Sequence, residues 1–528
     1  MTADWLTDTR LIMALWAAVG VIALGYGFRR RKRPASIDRQ ISIVSAAVGA
    51  VLLMLGVQAA RYAVFQQRAI AGRVGIDPEF EEVVSNPRQT SNDLSRPRGS
   101  ILAADGSRIA WSQQTGNVYT RFYGDTALAA AVGYYSPLLY GKSGIEATWD
   151  DALSGRGGRS LLDQIAGGLG LSERGPLDLT LTIQPELQRN AVQLLDGHIG
   201  AAIVLDPKTG AVWAMASSPA VDPVPLAAVD QHQVEVAQRA WQTLLDDPSR
   251  PLVRRATEGL YPPGSTFKVV TASAALQSGV VEPDTVFEDN GSIEIEGHFI
   301  EEANRPDDSI TTWTLMEGFA YSLNVVFAQV GLRVGRATLE QRAEAFGIGS
   351  SIPFDVPVSA GQIASSGDFL DSKAALADTA FGQGELLVTP MHMAMVASAV
   401  ANEGSSMRPY LVQSLADAAG KVVSTAEPKI WRAAVDQQTA DTMQAFMVDA
   451  VEWGYAGGAL LPGYRVGGKT GTAESGSEIP HGWFIGFAGE DDPRAVVAVL
   501  LEHGGEGGGY PTEIGAQLLM AALLNNPV

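Results

Sequence analysis

Tyr261-Pro262-Pro263-Gly264-Ser265-Thr266-Phe267-Lys268, followed by the apolar run Val269 to Leu276, is the stretch on which the reading of this chain turns. Pro and Gly force a turn, and the serine then falls near the start of a helix. Positions three apart share a helix face, so Lys268 can reach the Ser265 hydroxyl. Unpaired backbone N–H groups at the helix start can face a developing oxyanion. A serine hydroxyl is a poor nucleophile without a base. Lysine can be that base only if burial or a neighbouring cation lowers its pKa from about 10.4.

Two later stretches supply neighbours. Ser322-Leu323-Asn324 sets a hydroxyl and an amide two residues apart, suited to relaying a proton and holding a substrate carbonyl. Val466-Gly467-Gly468-Lys469-Thr470-Gly471-Thr472 reads as a strand whose glycines let a substrate backbone come close. The charge of Lys469 disfavours a protonated Lys268 and attracts a carboxylate. One Ser-x-x-Lys match proves little, since composition produces roughly one or two in a chain this long. Three motifs in this order within one segment are a different matter.

Working outward, Leu179 to Ile183 alternates like a strand and Pro185 to Leu195 has helical spacing. Ala201 to Leu205 and Ala211 to Ala216 flank the turn Asp206-Pro207-Lys208-Thr209-Gly210. Trp483 to Ala488 and Ala495 to Leu501 are apolar strands, and Thr512 to Leu524 is a helical pattern. Strands at both ends with helices between them predict an α/β domain of the α+β type over about 177–528, with a central antiparallel sheet flanked by helices. Residues 61–176 are polar and turn-rich and read as a smaller domain or stalk, with a strand, turn and strand around Arg96 to Gly106.

The amino terminus predicts membrane anchoring. Residues 11–28 and 41–60 are apolar, and the first, at 18 residues, makes about 27 Å of helix, close to the hydrocarbon thickness. Arg29-Arg30-Arg31-Lys32-Arg33 lies between them and belongs on the cytoplasmic side. The expectation is a two-span hairpin over 1–60 at the cell membrane, with everything after it extracytoplasmic.

Composition excludes several classes. A net charge of −20 argues against nucleic acid. Without cysteine there is no thiol catalysis and no disulfide. The six histidines show no metal-ligand spacing, so neither a metal nor another cofactor is expected.

With these residues in view, the chain resembles the penicillin-binding transpeptidases. Residues 261–268 resemble that family's nucleophile motif well beyond its defining positions. Phe381-Gly382-Gln383-Gly384, Val388-Thr389-Pro390, Ala401-Asn402-Glu403-Gly404, Gly468 to Glu474 and His481 to Phe487 are similar to further family segments. Arg98-Gly99-Ser100-Ile101 and Gly141-x-x-Gly144-x-Glu146 resemble the non-catalytic pedestal of the class B members. The likeness runs from about Arg96 to the carboxyl terminus. Two spans instead of one depart from the usual class B pattern.

The resemblance implies a peptidoglycan D,D-transpeptidase on a penicillin-binding, serine β-lactamase-like fold. It implies Ser265 as nucleophile and Lys268 as acylation base, with Ser322 and Asn324 in proton relay and substrate positioning. Lys469, Thr470, Gly471 and Thr472 would form the strand that binds the terminal carboxylate of the stem peptide. The N–H groups of Ser265 and Thr472 would form the oxyanion hole. Stem peptides and β-lactams are the implied ligands. A separate membrane glycosyltransferase is the implied partner, since nothing between Arg61 and Pro176 resembles a glycosyltransferase domain.

Competing readings are a serine β-lactamase, a membrane β-lactam sensor, and a scaffold with a decayed site. Met391, Met393 and Met395 read as helix packing. His481 reads as structural, and the glycines at 504, 505 and 507–509 as a flexible loop without a phosphate cradle.

Overall fold

The computed structural model describes residues 93–156, 175–474 and 476–525, and the backbone of two short paired strands, Gly75–Ile76 and Val83–Val84. The predicted spans at 11–28 and 41–60 and the basic run between them lie outside the described residues. Among the described residues no helix is long and apolar enough to cross a membrane.

Two larger sheets organise the molecule. In chain order their strands are β1 (Ile101–Leu102), β2 (Arg108–Thr115), β3 (Val118–Tyr123), β4 (Asp178–Leu181), β5 (Gly200–Leu205), β6 (Val212–Ser218), β7 (Val412–Ala416), β8 (Val422–Thr425), β9 (Arg465–Ala473), β10 (His481–Gly489) and β11 (Pro493–Leu501). The five-stranded sheet runs β6-β5-β11-β10-β9 and is antiparallel throughout. This is the central antiparallel sheet that the sequence predicts. Every residue of β5 and β10 is buried, so both faces of the sheet are covered, which explains their nearly unbroken apolar character.

Among the helices that pack on that sheet or carry residues of the site are α1 (Lys268–Ser278), α2 (Asn324–Val334), α3 (Pro390–Ala401), α4 (Gln437–Glu452) and α5 (Tyr510–Asn525). Helix α4 packs on β9, α3 on β11, and α5 on β10 and β11. Glycines set how closely these layers meet. A Cβ at Gly467 would stand 2.2 Å from the Phe487 ring, and one at Gly515 would stand 2.2 Å from Phe484. Helix α3 begins at a capping box in which the Thr389 hydroxyl accepts the His392 N–H at 3.2 Å, with Pro390 at its first position. All twelve of its residues are buried, and Met391, Met393 and Met395 are core packing, as read from the sequence.

The six-stranded sheet runs β8-β7-β4-β1-β2-β3. Strands β7 and β8 come from far along the chain and extend a sheet begun near residue 101. Around it the two pedestal segments singled out in the sequence meet. Arg98 Nε and Nη2 donate to Glu146 Oε2 at 3.2 and 2.9 Å, and Arg121 Nε donates to Glu146 Oε1 at 2.7 Å. Arg98 also donates to Asp150 at 2.5 Å, and Arg121 to the Gly99 carbonyl at 2.8 Å. Burial pushes the Glu146 carboxyl up, but Arg121 and Arg98 outweigh it and hold it below the ordinary range.

Candidate active site

The nucleophile turn is built by close backbone contact. Ser265 sits in a single 3₁₀ turn, Gly264–Phe267, that runs directly into α1. Gly264 has φ +53° and its N–H donates to the Gly382 carbonyl at 3.0 Å. Gly382, at φ +92°, lies so close that a Cβ there would be 1.8 Å from Gly264 O. The Phe381–Gly384 segment is therefore the buttress of this turn, and only glycine fits both positions. Tyr261 and Val388 exchange backbone hydrogen bonds at 2.9 Å, and Trp483 Nε1 donates to Pro262 O at 3.0 Å.

Strand β9 closes the other side. A Cβ at Gly471 would be 2.8 Å from Pro263 O, and one at Gly264 would be 2.6 Å from Thr472 O. The third motif thus lies against the first along its backbone. Ser265 is half-buried and Thr472 is exposed, whereas Lys268 and Lys469 are sealed at 0% and 1% exposure. The glycine-rich stretch seen as a loop in the sequence contributes here too, since Gly507 donates its N–H to Thr472 Oγ1 at 3.3 Å.

Behind the serine, all three motifs converge on Ser322. Lys268 Nζ donates to Ser322 O at 2.5 Å and to Asn324 Oδ1 at 2.8 Å, and lies 3.4 Å from Ser322 Oγ. Lys469 Nζ donates to the same Ser322 Oγ at 2.9 Å and to Thr470 O at 3.2 Å. One hydroxyl therefore bridges the two lysine nitrogens. The sequence expected Lys268 to face Ser265; in the structure its ammonium is engaged by the second motif. Ser322 is 4% exposed and adopts φ +60°, a conformation that costs a non-glycine residue energy and persists only where its surroundings hold it.

Burial pushes Lys268 down to about 7, while the Glu302 carboxylate works in the opposite direction. Burial and, secondly, Lys268 hold Lys469 well below the ordinary lysine range. Of the two depressing influences expected on Lys268, burial or a neighbouring cation, burial is the one that lowers it. The sequence reading missed Glu302 and Asn304, which carry no motif. Glu302 accepts N–H groups from Val325 at 2.9 Å and Asn304 at 3.1 Å, and the Asn304 side chain donates to Ser322 O at 3.2 Å. His481 lies at the end of β10, its Nδ1 accepting the His503 N–H at 3.1 Å, and its ring meets Tyr261 edge-on.

This arrangement sits on a known architecture. Residues 200–520 match the penicillin-binding protein transpeptidase domain, and 98–175 match the penicillin-binding protein A dimerisation domain. The chain belongs to the class B penicillin-binding proteins. It is 37% identical to the peptidoglycan D,D-transpeptidase PbpA of Mycolicibacterium smegmatis over 83% of this chain and 91% of that protein. Identity to PbpA of Mycobacterium tuberculosis is 35%, over 92% and 99%. The crystal structure of the M. tuberculosis penicillin-binding protein A as a ceftriaxone acyl-enzyme superposes with a TM-score of 0.74 at 33% identity, covering 82% of this chain and all of that one. The D,D-transpeptidase domain from Eggerthella lenta superposes at 0.70 with 34% identity, covering 82% and 99%. The class B fold accounts for the antiparallel catalytic sheet, the flanking helices and the separate sheet that this penicillin-binding protein builds around Arg98 and Glu146.

Proposed function

We infer that this penicillin-binding protein is a peptidoglycan D,D-transpeptidase working through a serine acyl-enzyme. The observation that carries the reading is the pair of buried lysines on one serine hydroxyl, with Lys268 brought to about 7 one helical turn from Ser265. A lysine with that pKa is neutral in a substantial fraction of molecules near neutral pH and can accept a proton.

In the proposed sequence, Ser265 Oγ attacks the carbonyl of the penultimate D-alanine of a stem peptide and its proton passes to Lys268 Nζ. The N–H groups of Ser265 and Thr472 stabilise the oxyanion. The proton returns through Ser322 Oγ to the departing nitrogen, the peptide bond breaks, and D-alanine leaves. An amine of a neighbouring strand then attacks the ester, regenerating Ser265 and completing the cross-link. Asn324 orients the substrate, and Thr470 and Thr472, with the charge of Lys469 behind them and Gly471 leaving room, receive the terminal carboxylate. A β-lactam enters as a stem-peptide mimic and stops at the acyl-enzyme. The M. tuberculosis structures solved as ceftriaxone, imipenem and penicillin G acyl-enzymes support that outcome.

The domain plan proposed with it is a two-span hairpin over 1–60, a pedestal over 61–176 and a catalytic domain over 177–528. The hairpin would hold the catalytic domain outside the cell membrane, beside a separate glycosyltransferase. Incubating the full-length protein with fluorescent penicillin and sequencing the labelled peptide by mass spectrometry tests the chemistry. A stable adduct on Ser265 that vanishes in Ser265→Ala is expected. Rapid release of hydrolysed penicillin, or no adduct at all, overturns the reading.

A further inference from the structure

We propose that Glu302 is a positioning residue of the acyl-transfer site, fixing the Ser322–Asn324 turn and setting a negative charge against Lys268. The inference rests on the acyl-transfer reading of the site.

The geometry is that of a clamp. Glu302 follows the hairpin made by Ser292–Ile295 and His298–Glu301, and its own N–H is tied to Gly291 O at 2.9 Å. From there it reaches the turn by two arms. Its Oε2 accepts the Val325 N–H at 2.9 Å, in the first turn of α2 and one residue beyond Asn324. Its Oε1 accepts the Asn304 N–H at 3.1 Å, and Asn304 Nδ2 donates at 3.2 Å to Ser322 O, the carbonyl that also receives Lys268 Nζ. Both ends of the turn are thus held from one carboxylate. Between them lies Ser322 at φ +60°, a backbone state in need of such support.

Charge gives the clamp a second role. Burial raises the Glu302 carboxyl above its ordinary range while Lys268 opposes that, and the ionised carboxylate favours the protonated form of Lys268 against the lysine's own burial. Other groups facing these two are Lys469 across Ser322, and Asp289 and Tyr455 on the side of Glu302. Glu302 therefore tempers a base that burial alone would leave weaker: a lysine too readily deprotonated accepts a proton poorly.

The test is the pH dependence of acylation of the full-length protein by fluorescent penicillin, across the range around pH 7. In Glu302→Gln the loss of negative charge makes Lys268 easier to deprotonate, so the acid limb moves about one pH unit to lower pH. The plateau rate falls about tenfold, as one arm of the clamp is lost. Glu302→Asp keeps the charge, so its limb stays where the parent's is while its plateau drops. A folded Glu302→Gln with the parent's limb and plateau overturns the proposal. So does a lowered plateau with an unmoved limb, which leaves a purely structural carboxylate. Should Glu302→Gln fail to fold, a displaced limb in Glu302→Asp overturns it equally. Failure of any of these leaves the Ser265 adduct of the parent intact, whereas a parent that takes no penicillin removes the acyl-transfer reading itself.

Discussion

The cluster around Glu146 and the candidate active site each bury two basic side chains, and they do opposite things with them. Arg98 and Arg121, at 5% and 3% exposure, close on Glu146 with every carboxylate oxygen engaged. Glu146 is held ionised despite complete burial. In the cleft, Lys268 and Lys469 meet a hydroxyl, an amide and backbone carbonyls instead, with Glu302 acting on Lys268 from the side. Both lysines are driven toward the neutral amine. Choice of partner decides the result: carboxylates lock charge in place, and neutral dipoles leave a proton free to move.

The largest expected effect breaks the mobile half of this contrast. Lys268→Met lowers the rate of acylation by fluorescent penicillin about 10²–10⁴-fold, the range for losing a general base. Its thermal unfolding temperature stays level or rises, because a cation that burial disfavours gives way to an apolar chain of similar length. A large drop in unfolding temperature would place Lys268 with the pedestal arginines, as a structural charge.

Next comes the locked half. Glu146→Gln leaves two buried guanidiniums facing a neutral amide and destabilises the protein by about 3–5 kcal/mol. Denaturant unfolding reads that loss, while the acylation rate per folded molecule stays at the parent value. An unfolding midpoint equal to the parent's would show that the cluster is not held together by that charge.

Acidity sharpens the comparison further, because both groups make stability rise with pH but in different windows. Lys268 has a folded pKa of about 7, below its unfolded value, so between about pH 7 and 10.4 the unfolded chain binds more protons and stability rises with pH. Lys268→Met flattens that rise. Glu146 is depressed when folded, so its contribution is present above its unfolded pKa and is lost as pH falls through the folded value. Unfolding curves across acid and alkaline pH for parent and Lys268→Met check both limbs. Smallest is Lys142→Ala at the pedestal rim, where the 2.8 Å pair with Asp150 is partly exposed; a loss of about 1 kcal/mol or less is expected in the same unfolding experiment.

How much of this the sequence displays depends on how each residue works. Ser265 and Lys268 are legible because one turn of helix fixes their spacing, and Lys469 to Thr472 because glycines mark a strand meant for close approach. That the three motifs converge on Ser322 Oγ is a tertiary fact, invisible in residues 54 to 147 positions apart. Glu302 and Asn304 stay hidden for another reason: they act on backbone N–H and C=O groups, which any residue can offer. The apolar strands β5, β10 and β11 announce themselves, whereas β8 is exposed along its whole length and has no alternation to read. Gly382 resembles a family segment in the sequence, but its purpose becomes visible only where its backbone meets Gly264.

Strand β4 lies between β1, from upstream, and β7, from more than two hundred residues downstream. In genetic terms, the pedestal is not a cassette. A gene fragment opening at residue 177 would encode β4 with one edge bare of its partner, a template for sticking to other chains. A fragment ending there would lack the strands that complete its own sheet. Recombination between relatives is therefore expected to exchange both stretches together or fail, so that inheritance at positions 101–123 and 412–425 travels as one unit despite the distance between them.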